Sequence, residues 1–161
     1  MANTATDHGT IIVEHTINVP VARAYAAFAN AGEREAWAAP SATAIFIYDE
    51  TDFRVGGRDV ARCGAKDDPR FRVETRYVDI VPMQRIVSTE TIHEVNTLLA
   101  ANITTVEFLP DGQSTRIKVT VQVTSFVGKG IIDSTKAGHT GSLSNMAQYL
   151  ERPALSETKT G

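Results

Sequence analysis

Residues 98–124, LLAANITTVEFLPDGQSTRIKVTVQVT, decide the fold of this chain. Apolar and polar residues alternate through Leu98–Leu109 and again through Arg116–Thr124, and Pro110-Asp111-Gly112 lies between the two segments. Alternation with a period of two is typical of a strand with one buried face and one solvated face. A Pro-Asp-Gly sequence between two such segments indicates a turn. The stretch therefore predicts a long antiparallel hairpin.

Further strands are predicted on the N-terminal side of this hairpin, at Thr10–Asn18, Thr43–Asp49, Phe53–Arg62, Arg70–Ile80 and Arg85–His93. Together with the hairpin they predict an antiparallel sheet of about six to seven strands. Gly56-Gly57 lies inside the third of these segments and predicts a bulge or a sharp bend there.

Helices are predicted at both ends of the sheet. An apolar stripe within Val21–Phe28 predicts a short helix, which we expect to end at Gly32. Glu33–Ala38 predicts a second short helix, and Ser134–Glu151 predicts the longest one. A long helix packed on a curved antiparallel sheet makes an α+β fold, with a natural cavity between the helix and the concave face.

The composition indicates one globular domain. The chain has 161 residues, with 16 Lys and Arg against 19 Asp and Glu, and a formal net charge of −3. We expect the domain to span 10–151, with flexible ends at 1–9 and 152–161. Because the chain is slightly acidic, it lacks the basic surface that nucleic-acid binding requires.

Several other classes of protein are disfavoured. No apolar run approaches the roughly 18 residues of a transmembrane helix, so no membrane insertion is expected. The N-terminal MANTATDHGT has neither the basic nor the apolar segment of a secretory signal, which predicts a cytoplasmic location. The single Cys63 excludes an internal disulfide and multi-cysteine metal sites. The four histidines do not cluster with carboxylates in sequence, so neither a metal nor a cofactor is expected.

Short motifs along the chain resemble those of a known superfamily. They are Val19-Pro20 with Tyr25 and Phe28, Trp37, Phe53-Arg54-Val55-Gly56-Gly57-Arg58, Tyr77-Val78-Asp79-Ile80-Val81-Pro82, Arg85-Ile86-Val87, Thr105-Val106-Glu107-Phe108 and Gly141-Ser142-Leu143. In this order they resemble the START-like (SRPBCC) superfamily, and within it the bacterial branch related to the activator of heat-shock protein 90 ATPase. The resemblance covers residues 10–151 and implies a helix-grip fold. Members of the superfamily include binders of hydrophobic small molecules and polyketide cyclases.

The chain also departs from that branch at several positions. Relatives often place aromatic residues where this chain has Ser88 and Glu90, and an acidic residue near the position of Val121. They often carry a tryptophan where this chain has His139. These departures imply a less aromatic pocket, with its carboxylate on a different strand.

Glu90 and His139 are the candidate acid–base pair. The alternation Ile86, Ser88, Glu90, Ile92 puts the carboxylate on one face with two isoleucines, an unusual place unless that face lines a cavity. His139 lies on the apolar stripe of the long helix and should face the sheet. A buried carboxylate beside an imidazole can transfer protons near neutral pH. A register shifted by one residue would instead turn Glu90 toward water.

The expected ligand contacts combine apolar walls with a few polar groups, the usual composition of a small-molecule pocket. They are Trp37, Tyr77, Ser88, Glu90, Ile92, Asn102, Thr104, Val106, His139, Leu143 and Met146. Trp37 is expected either at the mouth of the cavity or in the core. The hydroxyl of Tyr77 could bind a ligand or a backbone acceptor. Water inside the sheet could equally satisfy Asn102 and Thr104.

An arginine cluster is predicted on the outer face of the sheet. It comprises Arg62, Arg70, Arg72 and Arg76, interleaved with Asp59, Glu74 and Asp79. Arg58 follows the glycine pair and could either enter the cavity, where it would select an anionic ligand, or join this cluster, which is the expected position. Mixed charges of this kind are typical of a solvated surface and disfavour a nucleic-acid groove.

Three classes of function follow from these patterns. The first is a module that binds a hydrophobic or amphipathic small molecule under the long helix. The second is a metal-independent enzyme resembling a cyclase or dehydratase, with Glu90 and His139 as acid and base. A chaperone-interacting domain ranks last, because the chain lacks the additional N-terminal domain expected of a full co-chaperone. A homodimer is compatible with the sequence.

Overall fold

The computed structural model describes residues 4–152, which contain seven strands and three helices. In chain order they are β1 (Asp7–Ile17), α1 (Val21–Ala29), α2 (Ala31–Trp37), β2 (Ala44–Glu50), β3 (Arg58–Ala65), β4 (Asp68–Val81), β5 (Arg85–Glu94), β6 (Thr97–Asp111), β7 (Ser114–Ser125) and α3 (Gly130–Glu151). The α+β class and the helix-grip arrangement are confirmed. Most of the expected flexible C-terminal end, and the first three residues of the N-terminal one, lie outside the described residues.

The strands form one antiparallel sheet in the order β1-β7-β6-β5-β4-β3-β2. Ser88 of β5 lies opposite Tyr77 of β4 on one side and Thr104 of β6 on the other. Thr104 in turn lies opposite Val121 of β7. These residues are all buried, whereas Thr89 is exposed. The inner face of β5 therefore carries Glu90 and its even-numbered neighbours, the register expected from the sequence.

The core lies between this inner face and the helices. Ile17, Ile117 and Val121 of the sheet are completely buried, as is Met146 of α3. α1 adds two aromatic rings that meet Phe108 of β6 edge to face, with ring centroids 5.5 Å away for Tyr25 and 5.3 Å away for Phe28. Such pairs add about 0.5–1.5 kcal/mol each to the burial of their apolar area.

α3 is attached to the C-terminal end of α2. Ser142 donates its hydroxyl proton to the carbonyl oxygen of Ala38, and the amide of Asn145 donates to the carbonyl oxygen of Ala39. These are carbonyls that the end of a helix leaves unpaired. A Cβ atom at Gly141 would lie 2.6 Å from the carbonyl oxygen of Pro40. The absence of a side chain at Gly141 therefore allows the close contact that positions α3.

Several element boundaries differ from those expected, and two of them have a clear local cause. α1 ends before Asn30, whose side chain accepts a hydrogen bond from the backbone N–H of Glu33 at 3.0 Å and so begins α2. Gly32 lies inside α2. Asparagine is a strong N-capping residue, and this local bond outweighs the tendency of glycine to end a helix.

The segment expected to begin β3 at Phe53 is a loop, and the strand begins at Arg58. Gly56 has φ +82°, and a Cβ atom at Gly57 would lie 2.1 Å from the carbonyl oxygen of Asp52. The glycine pair therefore makes a tight turn before the strand, where the sequence predicted a bulge within it. The N–H of Gly56 still donates to the carbonyl oxygen of Tyr77, at 2.8 Å.

No helix in residues 4–152 combines the length and the apolar character needed to cross a lipid bilayer.

Alanine substitutions at two glycines of α3 are predicted to change stability in opposite directions. A Cβ atom at Gly138 would meet nothing within 4 Å, so Gly138→Ala should raise the free energy of unfolding by about 0.4–1 kcal/mol, through a less flexible unfolded chain. Gly141→Ala should lower it by about 1–3 kcal/mol, because its new methyl group would collide with Pro40. Thermal unfolding of the two variants measures this difference. Equal shifts would contradict the close contact between α3 and Pro40.

Candidate functional site

A band of polar side chains crosses the inner face of the sheet. Glu90 of β5 lies opposite Thr75 of β4 and Asn102 of β6, and Ser88 lies opposite Thr104 one pair further along. Cross-strand neighbours of this kind are about 4.5–5.5 Å apart at Cβ. Alternation along three adjacent strands thus brings five polar side chains together on a face that is otherwise largely apolar.

Two atoms of this band are buried without a hydrogen-bond partner. They are Oδ1 of Asn102 and Oγ1 of Thr104, in side chains that are 4% and 5% exposed, and neither has a partner among the described residues. Leaving a buried polar atom unpaired costs about 1–3 kcal/mol. Native proteins rarely retain such atoms unless water, an ion or a ligand completes them.

His139 of α3 interacts electrostatically with Glu90. Both side chains are partly buried, and within residues 4–152 neither has a hydrogen-bond or ion-pair partner. Burial lowers the pKa of the His139 imidazole below its usual value, and the Glu90 carboxylate only partly opposes that effect. The imidazole is therefore neutral at neutral pH and keeps one donor and one acceptor nitrogen. Glu90 and His139 are both free to bond to a third group.

The apolar residues expected to line the site are also on the inner face. Val106, Leu143 and Met146 are buried in the main core, and Ile92 is partly buried beside Val73 of β4. Val106, Leu143 and Met146 thus belong to one buried cluster, while Ile92 lies on β5 two residues beyond Glu90.

Tyr77 and Trp37 are engaged elsewhere. The hydroxyl of Tyr77 donates to Oδ2 of Asp59, and the pKa of Tyr77 is strongly raised, first by burial and then by this bond. The indole N–H of Trp37 donates to the carbonyl oxygen of Ala27 at 3.1 Å, and its ring packs on Phe28 with centroids 4.7 Å apart. Of the two alternatives for Trp37, the structure therefore has the core position.

Asp59 belongs to a closed polar cluster that the sequence did not predict. Nη2 of Arg34 lies 2.9 Å from Oδ2 of Asp59, and the backbone N–H of Asp52 donates to Oδ1 at 2.8 Å. Nε of Arg34 donates to the hydroxyl of Tyr48 at 2.9 Å, and Nη1 donates to the carbonyl oxygen of Phe28. Both carboxylate oxygens and all three guanidinium nitrogens are thus hydrogen-bonded.

The expectation that Asp59 lies on the solvated outer face is wrong, since it is 2% exposed. The reason is alternation: Asp59 directly follows Arg58 in β3, so an outward Arg58 turns Asp59 to the inner face. Arg34 had one available signal, because it precedes Trp37 by three residues and so shares its helix face. Burial raises the pKa of Tyr48 to about 12, although the Arg34 guanidinium lowers it.

The outer face carries a groove of about 820 Å³, lined by Arg58, Glu74, Arg76, Thr89, Thr91, Ile103 and Gln122 among others, and Glu90 and Asn102 also border it. Arg58 is paired there with Glu50 at 2.8 Å and with Glu74 at 3.6 Å. This confirms the outward position expected for Arg58. Arg58 and Glu74 are thus solvated and paired with each other, so these two charges do not require a ligand.

No group of three or more His, Cys, Asp or Glu side chains in the described part of the chain is arranged to hold a metal ion. Burial raises the pKa of the Cys63 thiol, which disfavours the reactive thiolate.

Substitutions at two threonines test whether the hydroxyl of Thr104 lacks a hydrogen-bond partner in the ligand-free protein. Thr104→Val should raise the free energy of unfolding by about 1 kcal/mol, because it removes a polar atom without a partner. Thr115 is equally buried, but its hydroxyl donates to the carbonyl oxygen of Val19 at 2.8 Å. Thr115→Val should therefore lower stability by about 1–3 kcal/mol. Urea unfolding compares the two, and a loss of stability in Thr104→Val would show that its hydroxyl has a partner.

Because the imidazole of His139 is neutral in the folded protein, we predict that the stability of the fold depends on pH. Because its pKa is lower in the folded protein than in the unfolded chain, where it is about 6.5, His139 contributes stability above that value. This contribution is lost as the pH falls toward the pKa of the folded state. The ring should titrate below pH 6.5 in an NMR titration, and His139→Gln should reduce the loss of stability between pH 7 and pH 5. A midpoint at or above the usual imidazole value would contradict the burial effect.

Comparisons with known proteins agree with this fold. Mll3558 from Rhizobium loti is 32% identical, with a TM-score of 0.79, and the match covers 89% of this chain and 98% of that one. A Rhizobium leguminosarum protein is 25% identical, with a TM-score of 0.80 and coverages of 92% and 98%. No curated protein matches the sequence.

The model of the family described as Activator of Hsp90 ATPase homolog 1-like protein matches residues 18–151. This segment contains α1, α2, β2 to β7 and α3. It confirms the resemblance to the START-like superfamily that the sequence motifs indicated. The chain belongs to the Activator of Hsp90 ATPase homolog 1-like family.

Proposed function

We propose that this protein binds a hydrophobic or amphipathic small molecule between the inner face of the sheet and α3. The observation that carries the proposal is the pair of buried, unpartnered oxygens on Asn102 and Thr104. They lie beside Glu90 and Ser88, on the face that α3 covers. A few convergent polar groups within an apolar surface are the usual composition of a ligand site.

The Arg34–Asp59 cluster supports this interpretation by contrast. On the same face, both oxygens of Asp59 accept hydrogen bonds from within the protein. The fold therefore provides hydrogen-bond partners for the buried polar groups at one end of the inner face, but not for those near Glu90. A stability cost retained at one place is a common mark of a functional site.

A second candidate function is acid–base catalysis in the same place. The observation that favours it is the arrangement of Glu90 and His139, which interact electrostatically without a hydrogen bond between them. The carboxylate of Glu90 could take a proton from a substrate that lies between the two side chains. The imidazole of His139, once it is itself protonated, could donate a proton to that substrate. Binding alone requires fewer chemical groups than catalysis does, so binding is the first proposal.

The binding proposal is tested with N-phenyl-1-naphthylamine, a neutral apolar dye whose fluorescence rises out of water. We expect saturable binding with one dye per chain. Ser88→Leu places a larger apolar side chain in the polar band and should weaken binding by at least about tenfold, equivalent to about 1.4 kcal/mol. Thr89→Leu adds the same side chain to the exposed face of the same strand and should leave binding unchanged.

Circular dichroism checks that both variants fold. Native mass spectrometry of the freshly purified protein would identify a ligand that copurifies. No dye binding and no copurified molecule would overturn the proposal, and so would equal effects of Ser88→Leu and Thr89→Leu.

A further inference from the structure

We infer that the ligand carries a protonated amine, which binds to the carboxylate of Glu90. This inference rests on the proposed function, because it names the chemical class of molecule that the same site would take. It follows from the charges that face the site, from the lack of a partner for Glu90, and from the acceptor groups around it.

The charges on the inner face leave one carboxylate uncompensated. Asp59 of β3 and Arg34 of α2 form a close pair and cancel each other. Tyr77 of β4 and Tyr48 of β2 are neutral, since burial raises the pKa of both. Glu90 remains, and no Lys or Arg in residues 4–152 forms an ion pair with it.

His139, which faces Glu90 from α3, does not supply the missing positive charge. Burial lowers the pKa of its imidazole, so the ring is neutral at neutral pH. A partly buried carboxylate has lost part of its hydration and is stabilised most by a charged donor. A ligand cation would provide that donor.

The neighbours of Glu90 suit an ammonium group in particular. Such a group has three N–H donors and no acceptor. Around Glu90 lie the side-chain oxygens of Thr75 and Asn102, directly opposite it on the two adjacent strands, and Oγ1 of Thr104 lies one pair further along. The oxygens of Asn102 and Thr104 are two of the three buried side-chain atoms without a partner in residues 4–152, the third being Nδ1 of His93. A carboxylate ligand would be repelled by the charge of Glu90, and its donors would have to come from the amide of Asn102 and the threonine hydroxyls.

Three molecules with one apolar chain and different head groups separate these possibilities: decylamine, 1-decanol and decanoic acid. Each is used at neutral pH to displace N-phenyl-1-naphthylamine from the full-length protein. Decylamine should displace the dye at a concentration at least about tenfold lower than decanol, as expected for a hydrogen bond to a charged group. Decanoic acid should be the weakest of the three.

Glu90→Gln removes the charge and keeps the shape of the side chain. It should abolish the advantage of decylamine over decanol, because the charge that distinguishes the two head groups is gone. Glu107→Gln is the matched control, since it removes the same charge from the outer face of β6 and should preserve the amine preference.

The inference is overturned if decanol or decanoic acid binds as well as decylamine. It is also overturned if the amine preference survives Glu90→Gln, or falls equally in Glu107→Gln, since the preference would then reflect the net negative charge of the whole chain. In those cases dye binding still stands and the proposed function is unaffected. If the dye itself does not bind, the proposed function fails first.

Discussion

The buried ion pair of Arg34 and Asp59 holds the elements on which the candidate site depends. It ties α2 to β3, and the hydroxyl of Tyr77 extends the connection to β4. The end of α2 provides the carbonyl groups to which Ser142 and Asn145 attach α3. The position of His139 over the sheet therefore depends, through α2, on an ion pair far from it in sequence. A buried pair of this kind is tolerable only when its remaining hydrogen-bonding capacity is met, as it is here.

The inner face consequently has two kinds of polar group. The groups around Asp59 all have hydrogen-bond partners within the protein, so their role is structural. Those around Glu90 are open, because Asn102 and Thr104 each keep a buried oxygen without a partner. An open group is useful only to something that arrives later, such as water or a ligand. This division indicates the candidate site by its unsatisfied hydrogen bonds rather than by the shape of the surface.

A single carboxylate among neutral acceptors also constrains the chemistry. Glu90 can attract a positively charged head group or accept a proton from a substrate, and the neutral imidazole of His139 can assist either process. Binding and acid–base catalysis thus share the same side chains. They differ in whether the bound molecule has a reactive atom between Glu90 and His139.

The sequence by itself determined the sheet, the long helix and two alternative registers for β5, because alternation with a period of two defines the two faces of a strand. The structure decided between them, since it buries Ser88, exposes Thr89 and so turns Glu90 inward. The helical stripe likewise turned His139 toward the sheet. Only the tertiary structure decided which groups Asp59 meets, since Arg34 and Tyr77 lie on α2 and β4. Arg34 was equally hidden, because its partners lie 14 and 25 residues away along the chain. Local patterns state which way a side chain points, whereas the partner that it meets is decided by contacts between elements distant in sequence.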